Sequence, residues 1–130
     1  MAAHVEHLTG IYHAEGTLRG ELAYFVGKHL GRAHCALCDI THGLVATKPA
    51  WQQSRMSLPV RFDTVHLDER DDDLVGLTEG HTPCVVAEVD GRREILLGPE
   101  ELEACHGSPD ALVAALGRAA EQRGWTLAQP

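Results

Sequence analysis

Two short β-prone runs separated by Asp90-Gly91 constrain this chain more than any other feature of its sequence. The runs are 84–89 (CVVAEV) and 92–97 (RREILL). An Asp-Gly pair between two such runs is a strong signature of a type I′ turn, because both central residues of that turn need a positive φ. The sequence therefore predicts an antiparallel hairpin over residues 84–97.

The part of the chain before the hairpin predicts two strands and two helices. A strand is expected over 7–14, which is a short β-prone run. A second strand is expected over 60–67, where apolar and polar side chains alternate. A helix is expected over 17–30, since apolar residues recur there on one helical face. A second helix is expected over 48–56, because Pro49 suits the first position of a helix.

The rest of the chain predicts short helices. The acidic run 68–73 is interpreted as a solvated loop or a helix start, and 74–80 as one short helical or turn segment. A short helix starts at Gly98-Pro99. The last helix starts at Ser108-Pro109, a cap followed by proline, and should end at Gly124.

The order of these elements predicts an α/β fold. The crossover between the first two strands is long enough for parallel pairing, and the hairpin adds two antiparallel strands. A chain of 130 residues fits a single domain. We therefore expect one domain, residues 1–130, with a mixed four-stranded sheet and helices against its faces.

Charge and hydropathy exclude some classes of partner. The formal net charge is -8 at pH 7, and the eleven Lys and Arg residues are scattered. Nucleic-acid binding needs these residues clustered, so we expect no nucleic-acid partner. The first nine residues lack a signal-peptide pattern, and no apolar stretch approaches the ~20 residues that span a bilayer. We expect a cytoplasmic protein without membrane contact, and the sequence does not indicate an oligomeric state.

The stretch 34–43 (HCALCDITHG) has the highest density of reactive side chains in the sequence. Cys35 and Cys38 have the CxxC spacing that lets two sulfurs form a reversible disulfide, and a neighbouring His34 or His42 can favour the thiolate. Cys84 would be a separate peroxidatic, resolving or substrate-contacting thiol. This predicts a thiol-disulfide oxidoreductase or redox sensor whose partner is a protein thiol or a small-molecule disulfide.

Metal binding is the alternative for the same stretch. Cys35, Cys38 and His42 have C-x2-C-x3-H spacing, and His34 offers a fourth ligand for zinc or copper. A structural zinc site usually draws its ligands from two segments of the chain. The second pair would then be His81 with Cys84, or Cys105 with His106.

A third interpretation is that the cysteines only pack the core, since buried Cys behaves as a small apolar residue. Cys105 is interpreted as core, and so is Cys84 unless it contacts substrate. His13 and Glu15, after the first strand, lie where α/β sheets place their ligand crevice. With His81 they would form a polar substrate-binding site or a hydrogen-bonded turn.

The hairpin followed by a helix resembles the second half of the thioredoxin-like fold, which implies a three-layer arrangement. In that family a Thr-Pro or Val-Pro pair before the hairpin carries a cis proline that faces the active site. The resemblance implies the same for Thr82-Pro83. The family's CxxC comes directly after the first strand, whereas here Cys35 and Cys38 follow one predicted helix later. That helix could carry them toward the opposite end of the sheet.

Most of the chain also resembles a group of small uncharacterised bacterial proteins. They have a strand followed by Tyr-Asn-Ala-Asp-like residues and then a Cys-x-Leu-Cys-x-x-Thr-His/Tyr-Gly motif. The corresponding residues here are Tyr12-His13-Ala14-Glu15 and the stretch 35–43 (CALCDITHG). The resemblance to this group implies no established activity.

Overall fold

The computed structural model of the protein describes residues 3–13, 35–41 and 48–127. The strands are β1 (Ala3–Ile11), β2 (Arg61–Val65), β3 (Cys84–Val89), β4 (Arg92–Leu97) and β5 (Trp125–Thr126). The helices are α1 (Ala36–Thr41), α2 (Pro49–Ser57), α3 (Asp72–Thr78), α4 (Pro99–Glu103) and α5 (Pro109–Gln122), with a 3-10 turn at Leu67–Glu69. The helix predicted over 17–30 lies outside the described residues.

The strands form one mixed sheet in the order β2-β1-β3-β4. β1 and β2 are parallel, and β3 is antiparallel to both β1 and β4. This confirms the predicted α/β class and the parallel pairing of the first two strands. A fifth strand, β5, pairs in parallel with the start of β1. It was not predicted, because a strand of two residues has no periodicity to detect.

The predicted hairpin is confirmed with the same strand bounds. Asp90 and Gly91 both have positive φ, 52° and 75°. This is the backbone that a type I′ turn requires, and Asp is among the side chains that tolerate it best. The Asp-Gly pair therefore fixes the register of β3 against β4.

The acidic run 68–73 contains the start of helix α3, which confirms the predicted helix start rather than the predicted loop. The side chain of Asp71 accepts a hydrogen bond of 2.8 Å from the N–H of Leu74, and this caps α3. Ser108 caps α5 in the same way, at 3.2 Å from the N–H of Ala111. Both caps satisfy N–H groups that a helix start leaves without intrahelical partners.

Two predicted strands are displaced from their observed bounds. β1 starts at Ala3 and ends at Ile11, so the prediction of 7–14 was late at both ends. β2 ends at Val65, because His66 and Glu69 bond to each other and turn the chain into the 3-10 segment. Alternating hydropathy continues to Leu67, but this local hydrogen bonding overrides it.

The sheet separates a large apolar cluster from a small one. The large cluster includes Leu8, Trp51 and Phe62, and the Trp51 and Phe62 rings meet edge to face with centroids 5.1 Å apart. The small cluster, on the other face of the sheet, includes Ile11 and Cys84. Within the described ranges, no helix has both the length and the hydropathy needed to cross a membrane.

Gly10 provides a test of the packing between the sheet and α1. A Cβ at this position would lie 3.0 Å from Leu37 Cδ2 and 3.1 Å from the Phe62 ring. Gly10→Ala should therefore lower the free energy of unfolding by about 1–3 kcal/mol through overpacking. The matched control is Gly76→Ala in α3, where nothing lies within 4 Å and a gain of about 0.5–1 kcal/mol is expected. Urea denaturation of both variants measures the difference, and equal stabilities would contradict this packing.

Candidate functional site

One end of the sheet brings together several of the predicted site residues. Tyr12 and His13 follow β1 there, and His66 follows the parallel strand β2. Because β3 runs antiparallel to β1, with Cys84 opposite Ile11, Pro83 also lies at this end. The carboxyl ends of parallel strands are where open α/β sheets usually bind ligands.

Cys35 lies at this same end, held by two main-chain donors. Its Sγ accepts a hydrogen bond from the N–H of His13 at 3.3 Å and from the N–H of Cys38 at 3.2 Å. The expectation that the two cysteines could lie toward the opposite end of the sheet was wrong. β1 ends at Ile11, and Cys35 contacts His13, which lies two residues beyond that end.

Both thiols of the CxxC pair are buried within the large cluster. Cys35 has no exposed surface and Cys38 is 7% exposed. Cys35 directly precedes α1, and Cys38 lies one turn further along the same helix. The pair is thus held between the end of β1 and the first turn of α1, with Cys38 the less completely buried residue.

Tyr12 joins the strand end to the helix that carries the cysteines. Its hydroxyl lies 3.0 Å from Thr41 Oγ1, and its ring packs 5.1 Å from that of His66. Burial raises the pKa of the Tyr12 phenol, and the hydrogen bonds of Tyr12 to Thr41 and Thr64 offset only part of that rise. Sequence reasoning did not select Tyr12, although its position beside His13 at a strand end was an available signal.

His13 lies beside Thr82, and the Thr82-Pro83 peptide bond is cis, as the resemblance to the thioredoxin-like fold implied. The distance from His13 Nδ1 to Thr82 Oγ1 is 2.8 Å. His81 is exposed, and its N–H donates to the carbonyl of Thr78 at 2.8 Å. Glu15, the remaining member of the predicted polar site, lies outside the described residues.

His66 and Glu69 form a second polar pair at this end of the sheet. Glu69 Oε1 accepts from the His66 N–H at 2.7 Å and lies 2.6 Å from His66 Nδ1. These two contacts lower the pKa of the Glu69 carboxyl, the main-chain bond contributing most. This pair was not predicted; Glu69 occupies the N3 position of a capping box, but the N-cap is His66 where Ser or Thr is usual.

The structure does not place the Cys84 side chain with the CxxC pair. Cys84 is fully buried in the small cluster with Ile11, Leu74 and Val86, on the other face of the sheet. Desolvation raises the pKa of its thiol to about 12. Cys105 is buried in the large cluster, where burial also raises its pKa, so its interpretation as core is confirmed.

No metal-binding group is found within the part of the chain that the structure describes. Those residues contain no cluster of three or more His, Cys, Asp or Glu side chains arranged to hold an ion. His34 and His42 lie outside the described ranges, so the predicted zinc or copper ligand set stays a prediction. The described residues bring together only its two cysteines.

The Cys84 thiol should make the protein less stable in alkali. Its pKa is about 12 in the folded protein against an ordinary value of 9.0, so the unfolded chain releases this proton first. Stability is fully present below pH 9 and falls as pH rises toward 12. Cys84→Ala should lose less stability between these pH values than the parent, measured by urea denaturation at each pH. Parallel pH profiles for the two proteins would contradict the burial of Cys84.

The contact between Tyr12 and Thr41 should appear as a coupling energy. Tyr12→Phe and Thr41→Val each remove one hydroxyl and leave the other without this partner. A double-mutant cycle of unfolding free energies should therefore give a coupling of about 0.5–1.5 kcal/mol. Additive effects of the two substitutions would show that α1 is not held to β1 through this bond.

Comparisons with known proteins assign the chain to no family, since no family model, no curated protein and no solved structure matches it.

Proposed function

We propose that the protein carries out thiol-disulfide exchange through Cys35 and Cys38. The observation that carries this proposal is the pair of main-chain N–H groups directed at Cys35 Sγ, from His13 and from Cys38. A thiol acts as a nucleophile only as the thiolate, and hydrogen-bond donors stabilise that charged form. The Cys38 bond also caps α1, because Cys35 directly precedes that helix as Asp71 and Ser108 precede theirs. The His13 N–H comes from a distant part of the chain, and neither capping nor apolar packing requires it.

Burial disfavours the thiolate, whereas N–H donors favour it. The two cysteines differ in burial and in donors, and we assign their roles from that difference. Cys35 has no contact with solvent but has both donors, so its thiolate is stabilised inside the site. Cys38 retains some exposed surface, so it is the sulfur that an incoming disulfide reaches first. We therefore assign the first attack to Cys38 and the second to Cys35.

The proposed exchange has two steps. The Cys38 thiolate attacks one sulfur of the substrate disulfide, which forms a mixed disulfide and releases the first substrate thiolate. The Cys35 thiolate then attacks Cys38 Sγ, which forms the Cys35–Cys38 disulfide and releases the second. The substrate gains two electrons, the cysteine pair loses two, and the protons of the two cysteines pass to the departing thiolates.

The position of the pair supports a thioredoxin-like arrangement within the α/β fold. Cys35 directly precedes a helix and bonds to the residue that follows the end of β1. In the thioredoxin-like family the CxxC directly follows the first strand and begins a helix. Here residues 14–34 come between in the sequence, but Cys35 still lies beside the strand end and before a helix. The hairpin of β3 and β4 followed by helices agrees with the second half of that fold.

The proposed substrates are protein disulfides or small-molecule disulfides, in a reducing cytoplasm. The polar groups beside the pair, from His13 and Thr82, offer hydrogen bonds to a substrate main chain or a peptide-like ligand. Net negative charge favours a neutral or basic partner over an acidic one. No metal or organic cofactor takes part in this chemistry.

Single serine substitutions of the pair test the proposed roles. Cys84→Ala with Cys105→Ala removes the other two thiols and gives the common background. In that background Cys35→Ser should accumulate a mixed disulfide with oxidised glutathione through Cys38, because the second step is blocked. Cys38→Ser should accumulate at least about tenfold less, since Cys35 is buried. Intact-mass spectrometry measures both, and equal or reversed accumulation would contradict the assignment.

Treatment with a strong chelator separates exchange from metal binding at the same sulfurs. Exchange predicts two thiols that convert to a disulfide at the same rate with and without chelator. Zinc binding through His34 and His42 predicts thiols that react only after the chelator removes one equivalent of metal. The second result would replace the proposed function with the metal-binding alternative.

A further inference from the structure

The outer edge of β2 is paired with no strand among residues 3–13, 35–41 and 48–127. Among the described strands, β2 pairs only with β1. The carbonyl of Val65 accepts from Tyr12, so Val65, Asp63 and Arg61 direct their main-chain groups toward β1. By alternation along the strand, the N–H and C=O groups of Phe62 and Thr64 point outward.

At the opposite edge of the sheet a side chain bonds to one of the strand's carbonyls, so the two edges differ. β4 forms that edge, and the guanidinium of Arg123 donates to the carbonyl of Ile95 at 3.3 Å. Arg123 follows α5, which packs against β4. Side-chain cover of this kind is a usual way to prevent pairing at a sheet edge.

An open groove lies beside the edge of β2, between that strand and α2. Its volume is about 640 Å³, and its walls include Arg55 and Met56 of α2 and residues 60–63. Met56 is 85% exposed and is the one large apolar side chain exposed to this extent within the described ranges. A strand added to β2 would run along this groove and cover part of the Met56 side chain.

The charges on β2 are complementary to those on a second copy of the same strand. Arg61 and Asp63 are two residues apart, so their side chains lie on one face of the sheet, and Phe62 lies on the other. If two copies of β2 pair antiparallel about a twofold axis at Phe62, each Arg61 stands opposite Asp63 of the other copy. Opposite charges at directly facing positions stabilise antiparallel pairs.

We propose that β2 is a dimerisation edge, which joins two copies of this chain into one continuous sheet. With a twofold axis at Phe62, the outward N–H and C=O groups of Phe62 in one copy bond to the C=O and N–H groups of Phe62 in the other. Arg61 already bonds to Asp63 of its own strand at 2.8 Å, and Arg55 also contacts this carboxylate. In the dimer each Asp63 carboxylate would lie between Arg61 of its own copy and Arg61 of the other copy. The dimer is independent of the proposed thiol exchange, because the groove contains none of the cysteines.

Charge reversal on β2 tests the dimer, with sedimentation velocity as the measurement. Arg61→Asp and Asp63→Arg each place like charges opposite one another. Each variant alone should therefore dimerise at least about tenfold more weakly than the parent. A mixture of the two restores both opposite-charge pairs, so it should form a heterodimer about as well as the parent forms its homodimer. The matched control is Arg92→Asp on β4, which removes an equivalent pair with Glu94 and should leave dimerisation unchanged.

Thr64→Pro provides a second test that does not depend on charge. It removes an outward N–H and leaves the hydrogen bonds to β1 in place, so the variant should fold and remain monomeric. Circular dichroism of every variant confirms the fold. A monomeric parent, a mixture that stays monomeric although both variants fold, or a dimeric Thr64→Pro variant would each overturn the proposal.

Discussion

The site depends on one contact between distant parts of the chain, the hydrogen bond from the His13 N–H to Cys35 Sγ. Sulfur is a weak acceptor, so the bond gives little stability when the thiol is neutral. It becomes stronger when Cys35 is charged, as does the bond from the Cys38 N–H. The same two donors therefore position the sulfur and favour its reactive form.

The sheet makes that contact possible. The register of β1 against β2 and β3 brings the residues after β1, the residues after β2 and the residues before β3 to one end. Tyr12 then bonds to Thr41 at the last residue of α1, while His13 bonds to Cys35 just before its first residue. The helix is thus held to the strand end at both of its termini, which fixes where the CxxC pair lies.

Local chemistry made the hairpin and the helix starts predictable. Asp90-Gly91 permits few backbone conformations, and Ser108-Pro109 begins a helix almost wherever it occurs in an amphipathic segment. The location of Cys35 could not be predicted in the same way, because residues 14–34 separate it from β1 and their pattern does not say where the chain returns. Tyr12 was missed because its neighbours Thr41 and His66 are distant in sequence. Tertiary contacts of this kind leave no local periodicity. His66 pairs with Glu69 only three residues away, so that pair could have been found from the sequence.

Nuclear magnetic resonance can test the central contact directly. The amide proton signals of His13 and Cys38 should shift together, with one midpoint, as pH is raised through the ionisation of Cys35. Both shifts should disappear in Cys35→Ala, while other amide signals keep their pH dependence. Two different midpoints, or shifts that persist without the sulfur, would show that these amides do not share Cys35 as their acceptor.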